Sequence, residues 1–513
     1  MTTAQSYFGK REERFRDLCQ RLLAERRPIF ASNRGPISLV ENADGSVTPQ
    51  RGSGGLVTAL TSISRFVPLT WVVSAMTEAE RQQAAASGDA LRAPLLEQEI
   101  YLRFVAVPRA VYQRYYYAFC NPLLWFIQHY MWNTPRAPNI GRATYEAWED
   151  GYVPVNQAFA RALVEEAERD ARAPFIFIHD YHLYLAPGEV RRLLPDAPIL
   201  HFTHIPWPGP RYWGILPAFM RRQIHENLCA ANIVGFQTMR DVQNFLHGCE
   251  SCLDGASVDY RACTVSRNGW LTQVTNYPIS VDAAGLAQLA VSPEVEHYEK
   301  ALRPLTRDFT IVRVDRAEPS KNIIRGFRAY ESLLDRYPEL RGKVAFLAFL
   351  VPSRTELPVY QTYTDELFEV VTAINDEYGS DDWQPIRVFY EENYAQAVAA
   401  MRLYDILLVN PIVDGMNLVA KEGPLVNTRD GVLVLSEMAG AHEQLGEYAL
   451  SVSPTDIEGT VRALHAALSM HPDERRRRAA ALRRVVQEED VTFWMERQFR
   501  DLMALSRLRR LRP

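Results

Sequence analysis

The alternation of short apolar runs with helical patterns is the feature that most limits how this chain can fold. The runs PIFASNR, WVVSAM, FIFIHD, ILHFTH and IVGFQT come first, and FTIVRVDR, VAFLAFLV, IRVFYE, DILLVNP and GVLVLSE follow. Strands that are apolar on both faces, with helices between them, are typical of parallel sheets that are covered on each side. The sequence therefore predicts an α/β protein with two doubly wound, Rossmann-like domains.

The length of the chain, 513 residues, agrees with two domains, because a single compact core rarely grows so large. Two large domains also imply a cleft. We place the boundary in NYPISVDAAG, residues 276–285, where Pro and small residues follow a strand. Near the start, Phe15, Leu18 and Leu22 recur at helical spacing, which predicts an amphipathic helix. The predicted parts are a helical extension at 1–27, domains at 28–282 and 283–487, and a C-terminal helix at 488–513 that crosses back to the first domain.

The composition excludes several classes of protein. Hydrophobic residues make up 47% and charged residues 23%, as in an ordinary globular protein. The net charge of -5 gives no reason to expect a nucleic-acid or membrane partner. No apolar run could span a bilayer, and MTTAQSYFGKREERF lacks the apolar core of a secretory signal. We therefore expect a cytoplasmic protein with small-molecule substrates, and the oligomeric state stays open, homo-oligomer included.

The cysteines indicate no disulfide scaffold, since there are only six in so long a chain. Cys249 and Cys252 form a CxxC motif, with His247 just before it and Cys263 after it. This spacing matches no zinc-finger pattern, so a metal or redox role stays open beside the alternative of reduced thiols.

Polar residues follow several of the predicted strands, at the edge where doubly wound sheets bind ligands. PIFASNR ends in Arg34, FIFIHD runs into HDYH with Asp180 and His182, and ILHFTH ends at His204. Each histidine taken alone could equally be a structural residue. In RGSGGLVTAL the glycines Gly52, Gly54 and Gly55 precede a helix, and their small size lets the helix amides approach an oxyanion.

The second half of the chain places cations at its strand ends. Arg316 and Lys321 follow FTIVRVDR, and Arg354 follows VAFLAFLV. Two cations at one strand end suit a diphosphate, although each taken singly could be an exposed charge without a ligand.

The stretch VDGMNLVAKE follows the apolar run DILLVNP and restarts as a helix. A strand that ends in Asp414, Gly415 and Asn417 leaves unpaired amides at the start of that helix, where an anion can bind. The alternative is a tight turn in which Asp414 caps the helix. Glu422 lies seven residues after Gly415, so a helix through both would place them on the same face.

Ten motifs, taken in order, resemble the trehalose-6-phosphate synthase family of retaining glycosyltransferases. They are SNR, GGL, YYYAFCNPLLW, HDYH, HIPWP, GFQT, RAEPSKN, SR, DGMNLVAKE and LSEMAGA. The resemblance implies the GT-B fold, in which two Rossmann-like domains face each other. It implies these acceptor residues: Arg34, Tyr116, Trp125, Asp180 and Arg354. It implies these donor residues: Gly54, Gly55, His204, Arg316, Lys321, Asp414, Gly415, Met416, Asn417, Leu418 and Glu422. Among these, the resemblance gives catalytic roles to Asp180, His204, Arg316, Lys321 and Asp414.

The activity that the resemblance implies is transfer of glucose from GDP- or UDP-glucose to glucose 6-phosphate, which forms α,α-trehalose 6-phosphate with retention. Double displacement would need a carboxylate nucleophile, and the family pattern gives neither Asp180 nor Asp414 that place. We therefore favour attack on the same face as the leaving diphosphate, with Arg316 and Lys321 stabilising its charge. In this scheme no cofactor or metal is required.

The chain departs from the family pattern at RAEPSKN, where RxDYSKG is common. RAEPSKN and HIPWPGPRYWGILP resemble a branch that uses guanosine donors and includes a pseudoglycosyltransferase that makes validoxylamine phosphate. GGL, Tyr116 and the VAKE ending resemble trehalose-6-phosphate synthase itself. A glucosylglycerol-phosphate synthase and a silent regulatory subunit are further alternatives, although retention of the expected polar residues argues against a silent subunit.

Overall fold

The computed structural model describes residues 3–42, 44–52, 54–86, 90–93 and 99–510. The described residues form two units. The first contains those up to Pro278 together with those from Val491, and the second runs from Ile279 to Asp490. Within the described ranges, no helix combines the length and the apolar composition that crossing a membrane requires.

The first unit is built on one large sheet and a separate hairpin. Its strands are β1 (Arg26–Ser32), β2 (Ile37–Glu41), β3 (Val47–Arg51), β4 (Leu69–Ser74), β5 (Leu91–Arg92), β6 (Ile100–Val105), β7 (Ala173–His179), β8 (Ile199–Phe202), β9 (Ile233–Phe236), β10 (Ser257–Asp259), β11 (Thr264–Arg267) and β12 (Trp270–Asn276). Its helices begin with α1 (Thr3–Glu25), α2 (Gly55–Ile63), α3 (Glu78–Ala86), α4 (Arg109–Gln113), α5 (Trp125–Gln128), α6 (Arg142–Ala147), α7 (Val153–Glu168), α8 (Ala186–Leu193), α9 (Pro210–Trp213), α10 (Ala218–Leu228) and α11 (Met239–Cys252). Two π-helical segments lie among them, at Arg114–Leu124 and Trp148–Tyr152.

The large sheet has ten strands in the order β10-β11-β12-β9-β8-β7-β1-β4-β6-β5. The strands from β12 to β6 pair in parallel, which confirms the predicted doubly wound arrangement. Antiparallel strands at both edges were not predicted. The chain runs from β1 outward through β4 and β6, then returns to β7 and runs outward on the other side. The order of the strands thus reverses between β1 and β7, at the point where such sheets bind ligands.

The second unit repeats this design in a smaller sheet. Its strands are β13 (Phe309–Arg316), β14 (Val344–Val351), β15 (Ile386–Tyr390), β16 (Ile406–Val409), β17 (Val432–Ser436) and β18 (Leu450–Val452). Its helices are α12 (Ala283–Leu289), α13 (Pro293–Leu302), α14 (Ile323–Arg336), α15 (Pro358–Tyr378), α16 (Tyr394–Leu403), α17 (Val419–Val426), α18 (His442–Leu445), α19 (Ile457–Leu468) and α20 (Pro472–Glu488). The strand order is β15-β14-β13-β16-β17-β18, with every pairing parallel. The order reverses between β13 and β16.

The last helix, α21 (Val491–Arg510), belongs to the first unit. Its Phe499 stacks on Phe15 of α1, with ring centroids 6.1 Å apart, and lies 5.4 Å from the ring of Phe177 on β7. Its Trp494 is buried, and the centroid of its ring lies 5.6 Å from that of Phe202 on β8. Helices from the two ends of the chain therefore complete the same core.

Candidate active site

In the first unit, the ends of β1 and β7 meet through an aromatic cluster. Arg34, which follows β1, donates from Nη2 to the hydroxyl of Tyr116 at 3.0 Å. The Tyr116 ring stacks on His182, which follows β7, and on Tyr112, with centroids 5.9 and 5.5 Å apart. The structure thus brings together Arg34, Tyr116 and HDYH at the switch point. His182 was predicted at this strand end without a ligand role, and Tyr112 was missed, although the four-residue spacing of Tyr112 and Tyr116 is a signal of one helix face.

Asp180 has a strained backbone at the end of β7. Its φ of 74° and ψ of 169° lie in a region that glycine alone adopts readily, at a cost on the order of 1–3 kcal/mol. The surroundings hold it there, because its amide donates to the Phe202 carbonyl at 2.7 Å and its Oδ1 accepts from the His204 amide at 3.2 Å. Strain of this kind concentrates at functional sites, and 20% of the carboxylate side chain stays exposed.

His204 lies beside a second histidine. Its Nε2 is 3.2 Å from Nδ1 of His179, which is fully buried at the end of β7. Burial lowers the pKa of His179 to about 3 and lowers the pKa of His204 well below its usual value. Both rings are therefore neutral near pH 7. His204 can exchange hydrogen bonds with a sugar hydroxyl, but it cannot supply positive charge.

The glycine-rich loop before α2 packs closely on the turn after Arg34. The amide of Gly52 donates to the Pro36 carbonyl at 2.8 Å, and a Cβ at Gly52 would lie 2.5 Å from the Gly35 oxygen. Gly54 has a φ of 118°, which requires glycine, and α2 begins at Gly55. The helix start therefore lies on the same loop system as Arg34.

Trp125 is almost completely buried, with 2% of its surface exposed. Its ring stacks on His129 at 4.0 Å and packs against Phe126 at 5.5 Å. The acceptor-binding role of Trp125 stays a prediction.

In the second unit, an ion pair joins the two strands at the switch point. Lys321, which follows β13, binds through Nζ to Oδ2 of Asp414, which follows β16, at 2.5 Å. Asn417 donates to the same oxygen at 3.1 Å. The alternative of Asp414 as the helix cap is wrong, because the amide of Ala420 in the first turn of α17 donates to Asn417 Oδ1 at 3.3 Å.

The segment after β16 is held by the loop after β17. The Asp414 amide donates to the Met438 carbonyl at 3.1 Å, and the Gly440 amide donates to the Asp414 carbonyl at 3.0 Å. The amide of Ala441 donates to the Met416 carbonyl at 2.8 Å. A Cβ at Gly440 would lie 1.8 Å from the Gly415 oxygen, so glycine is required there. These contacts fix residues 414–416 as a rigid turn before α17.

The prediction that Gly415 and Glu422 lie on the same face of one helix is wrong. Helix α17 begins at Val419, so residues 415–418 precede it and Glu422 lies in its first turn. Asn417, with a φ of 71°, turns the chain before the helix starts. The helix does carry Lys421 and Glu422, as the sequence predicted.

Lys421 and Glu422 have different surroundings. Oε1 of Glu422 accepts from the hydroxyl of Tyr394 at 3.0 Å, and burial raises the pKa of Glu422 to about 7. Lys421 is buried and donates through Nζ to the Ile279 carbonyl at 2.7 Å, and burial lowers its pKa to about 7. Lys421 therefore fixes the start of the second unit, while Glu422 and Tyr394 form the polar pair.

Glu318 links Arg316 to Ser353, the residue that precedes Arg354. Arg316, with 52% of its side chain exposed, binds Glu318 at 3.0 Å, and only 1% of the Glu318 side chain is exposed. The Ser353 hydroxyl donates to the second oxygen of Glu318 at 3.4 Å. Next in the chain, Arg354 donates to the hydroxyl of Tyr360 and lies 5.5 Å from its ring centroid. Glu318 thus connects the turn after β13 with the loop after β14.

Asn322 is the last residue of RAEPSKN, at the position where the common family pattern RxDYSKG has glycine. Its φ of 58° is left-handed, a conformation that Asn adopts more readily than most residues. Its side chain donates to the carbonyls of Asn410 at 2.9 Å and Pro454 at 2.6 Å. The substitution therefore keeps the turn that carries Lys321.

Both cysteines of the CxxC motif lie in α11, and Cys252 is its last residue. The Cys249 sulfur is buried 3.6 Å from that of Cys229, while Cys252 and Cys263 are partly exposed. Within the described part of the chain, no three side chains from His, Cys, Asp and Glu are grouped to hold a metal ion.

Two doubly wound sheets with polar side chains at each switch point, and an ion pair beside a helix start in the second, are typical of an enzyme that binds a phosphorylated ligand with Rossmann-like units. The chain belongs to glycosyltransferase family 20, whose model matches residues 26–504.

Two relatives and one solved structure show how close the similarity is. The chain is 31% identical over 480 residues to validamine 7-phosphate valienyltransferase of Streptomyces hygroscopicus, covering 93% of this chain and 94% of that protein. It is 32% identical over 492 residues to trehalose-6-phosphate synthase of Mycobacterium avium, covering 93% and 95%. The crystal structure of a UDP-forming α,α-trehalose-phosphate synthase of Burkholderia xenovorans with glucose 6-phosphate matches with a TM-score of 0.78 and 29% identity, covering 93% and 100%. The predicted α/β fold with two Rossmann-like domains is thereby confirmed.

Proposed function

We propose that this protein transfers glucose from a nucleoside diphosphate to glucose 6-phosphate and forms α,α-trehalose 6-phosphate. The observation that carries the proposal is the pairing of Lys321 with Asp414 at the switch point of the second sheet. A cation for a diphosphate and a carboxylate for sugar hydroxyls then lie side by side, next to the start of α17. The relatives named as trehalose-phosphate synthases support the same assignment.

The proposed reaction retains the configuration at the donor carbon. The bond from the anomeric carbon to the phosphate oxygen breaks as the bond to the acceptor hydroxyl oxygen forms on the same face. The acceptor proton passes to the leaving phosphate oxygen. Arg316 and Lys321 stabilise the charge on the departing diphosphate, and Asp414 with the amides of residues 415–418 holds the glucose. Glu422 accepts from the ribose hydroxyls.

We further propose that the reaction needs no metal. Arg316 and Lys321 supply the charge that a divalent cation would supply in other nucleotide enzymes. Treatment with EDTA should therefore leave the transfer rate largely intact, measured as nucleotide release before and after dialysis. Complete loss that Mg²⁺ restores would contradict this proposal.

A second candidate is transfer of a cyclitol to an aminocyclitol phosphate. The similarity to validamine 7-phosphate valienyltransferase favours it, because this relative matches over nearly its whole length. Both candidates use a nucleoside diphosphate donor and a phosphorylated acceptor, so the two substrates must be varied independently.

The deciding experiment is a nucleotide-release assay that crosses four donors, UDP-, GDP- and ADP-glucose and a GDP-cyclitol, with glucose 6-phosphate, glycerol 3-phosphate and validamine 7-phosphate. We expect turnover with glucose 6-phosphate, and a larger kcat/KM with GDP-glucose than with UDP-glucose because of RAEPSKN and HIPWPGPRYW. A larger constant for UDP-glucose would overturn the choice of nucleobase alone. Absence of turnover with every glucose donor, together with turnover of a GDP-cyclitol, would favour the second candidate.

Arg34 is proposed to bind the acceptor phosphate, which gives a prediction for Arg34→Ala. Loss of one charge-assisted contact should raise the KM for glucose 6-phosphate by about ten- to hundredfold. The Kd for the nucleotide should not change, because the variant retains Arg316 and Lys321, the two cations proposed to bind the diphosphate. Titration calorimetry with the nucleotide and initial rates against acceptor concentration measure the two effects.

Tyr116→Phe is the matched comparison, since it removes the hydroxyl that Arg34 contacts and keeps the charge. Its acceptor KM should rise less than that of Arg34→Ala. A weakened nucleotide Kd with an unchanged acceptor KM would assign Arg34 to the donor instead.

A further inference from the structure

A fully buried arginine lies inside a central strand of the second sheet. Arg313, in the run FTIVRVDR of β13, has 0% of its side chain exposed. A guanidinium is always charged and has five N–H donors, so burial is tolerated only where acceptors surround it.

The acceptors of Arg313 come from three segments that meet at the switch point. Nε donates to Asp315 on β13 at 2.8 Å. Nη2 donates to the Asn410 side chain, after β16, at 2.8 Å and to the Lys321 carbonyl at 2.7 Å, and Nη1 donates to the Ile323 carbonyl at 3.4 Å. One planar group therefore holds the turn that carries Lys321 against the ends of both central strands.

Two further observations show that this place is built for a guanidinium. A Cβ at Gly326 on α14 would lie 2.4 Å from Nη1, so a larger residue there would displace the guanidinium from its present position. Asn322 in the same turn donates to the Asn410 carbonyl, so Asn410 is bound from both sides. Asp315 balances the buried charge, and burial raises the pKa of its carboxyl while Arg313 opposes that shift.

We infer that Arg313 is a positioning residue for the donor diphosphate: it fixes the Lys321 backbone so that the ammonium group lies beside Asp414. The inference rests on the proposed function, because it takes Lys321 as a diphosphate ligand. Lysine cannot replace Arg313, since an ammonium group on a flexible stem cannot reach four acceptors spread around a planar fork. Arg313 does not itself touch the substrate.

The test compares Arg313→Lys with Arg475→Lys. Arg475 also bridges a carboxylate and carbonyls in the second unit, since it donates to Asp405, Asp430 and Arg429 at 3.2, 3.2 and 3.5 Å. Asp405 and Asp430 precede β16 and β17, so this control lies at the opposite edge of the same sheet. Thermal unfolding, the Kd values for GDP and UDP, and the KM values of both substrates are measured for each variant.

Both variants should lower the Tm. Only Arg313→Lys should weaken nucleotide binding and raise the donor KM, by about tenfold or more, while the acceptor KM stays at the wild-type value. An unchanged nucleotide Kd in a destabilised Arg313→Lys would show a merely structural role and overturn the inference. If Arg313→Lys does not fold, Asn410→Ala, which removes one of the four acceptors, is judged by the same criterion.

The outcome also separates this inference from the proposed function. A wild-type chain that binds neither GDP nor UDP overturns the proposed function and the inference with it. If the wild type binds nucleotide and Arg313→Lys binds it with the same Kd, only the inference is overturned, and the proposed function stands.

Discussion

Asp414→Asn should bind a nucleoside diphosphate about three- to tenfold more tightly than the wild type, while its transfer rate falls by about a hundredfold or more. The two effects have opposite directions because Asp414 has two proposed partners. Before the donor binds, its carboxylate pairs with Lys321 and competes with the diphosphate for that cation. In the proposed reaction the same carboxylate accepts hydrogen bonds from the transferred glucose. The neutral amide removes the competitor and weakens the contacts to the sugar.

Calorimetry with GDP and UDP, which lack the sugar, measures the first effect, and single-turnover rates with the nucleoside diphosphate glucose measure the second. Asp405→Asn is the matched control, because this carboxylate also pairs with arginines but lies at the other edge of the sheet. The control should leave both quantities unchanged. Weaker nucleotide binding in Asp414→Asn would show that the carboxylate supports the diphosphate site instead of competing with it.

Lys321→Met should weaken nucleotide binding by about ten- to hundredfold, as expected for the loss of one charge-assisted contact to a phosphate. Methionine keeps much of the apolar stem and removes only the charge. The variant should also lose stability, because only 16% of the Asp414 side chain is exposed and its cation is gone. Isothermal calorimetry and thermal unfolding follow the two effects separately.

The double variant Lys321→Met with Asp414→Asn separates stability from ligand binding. It should recover part of the lost Tm, since no unpaired carboxylate remains, but it should not recover nucleotide affinity. Recovery of both would mean that Lys321 acts on the nucleotide only through the folding of the turn. Wild-type affinity in Lys321→Met would remove the residue from the diphosphate site.

The apolar strands of both sheets could be predicted because burial on both faces leaves a continuous signal in the sequence. Strand β6 was missed because it lacks this signal: in IYLRFV, Tyr101 is exposed and Arg103 is partly exposed. The edge strands β10 and β11 were missed because they are short and polar. Arg313 did leave a signal, because an arginine inside an apolar strand must be paired, and only the structure shows that Asn410 and the turn after β13 are its partners.

The sequence predicted where the candidate site residues lie along the strands better than it predicted which of them are in contact. Lys321 and Asp414 could be placed at strand ends, but their pairing depends on which strands become neighbours, and β13 and β16 are far apart in the chain. Helix boundaries are set by local hydrogen bonds, so the start of α17 at Val419 could not be read from the spacing of Gly415 and Glu422. The strained φ of Asp180 is imposed by its neighbours and leaves no trace in the residue type.

The position of α21 determines the order in which a newly made chain can complete its cores. Residues 279–490 carry every strand of the second sheet, so that unit can finish folding as soon as they have left the ribosome. Most of the first unit is synthesised earlier, yet it lacks Trp494 and Phe499 until the second unit has been made. Until then the apolar surface around Phe177 and Phe202 stays open, and it is the surface that a chaperone would have to cover. Of the two units, the one whose synthesis begins first is therefore the one that is completed second.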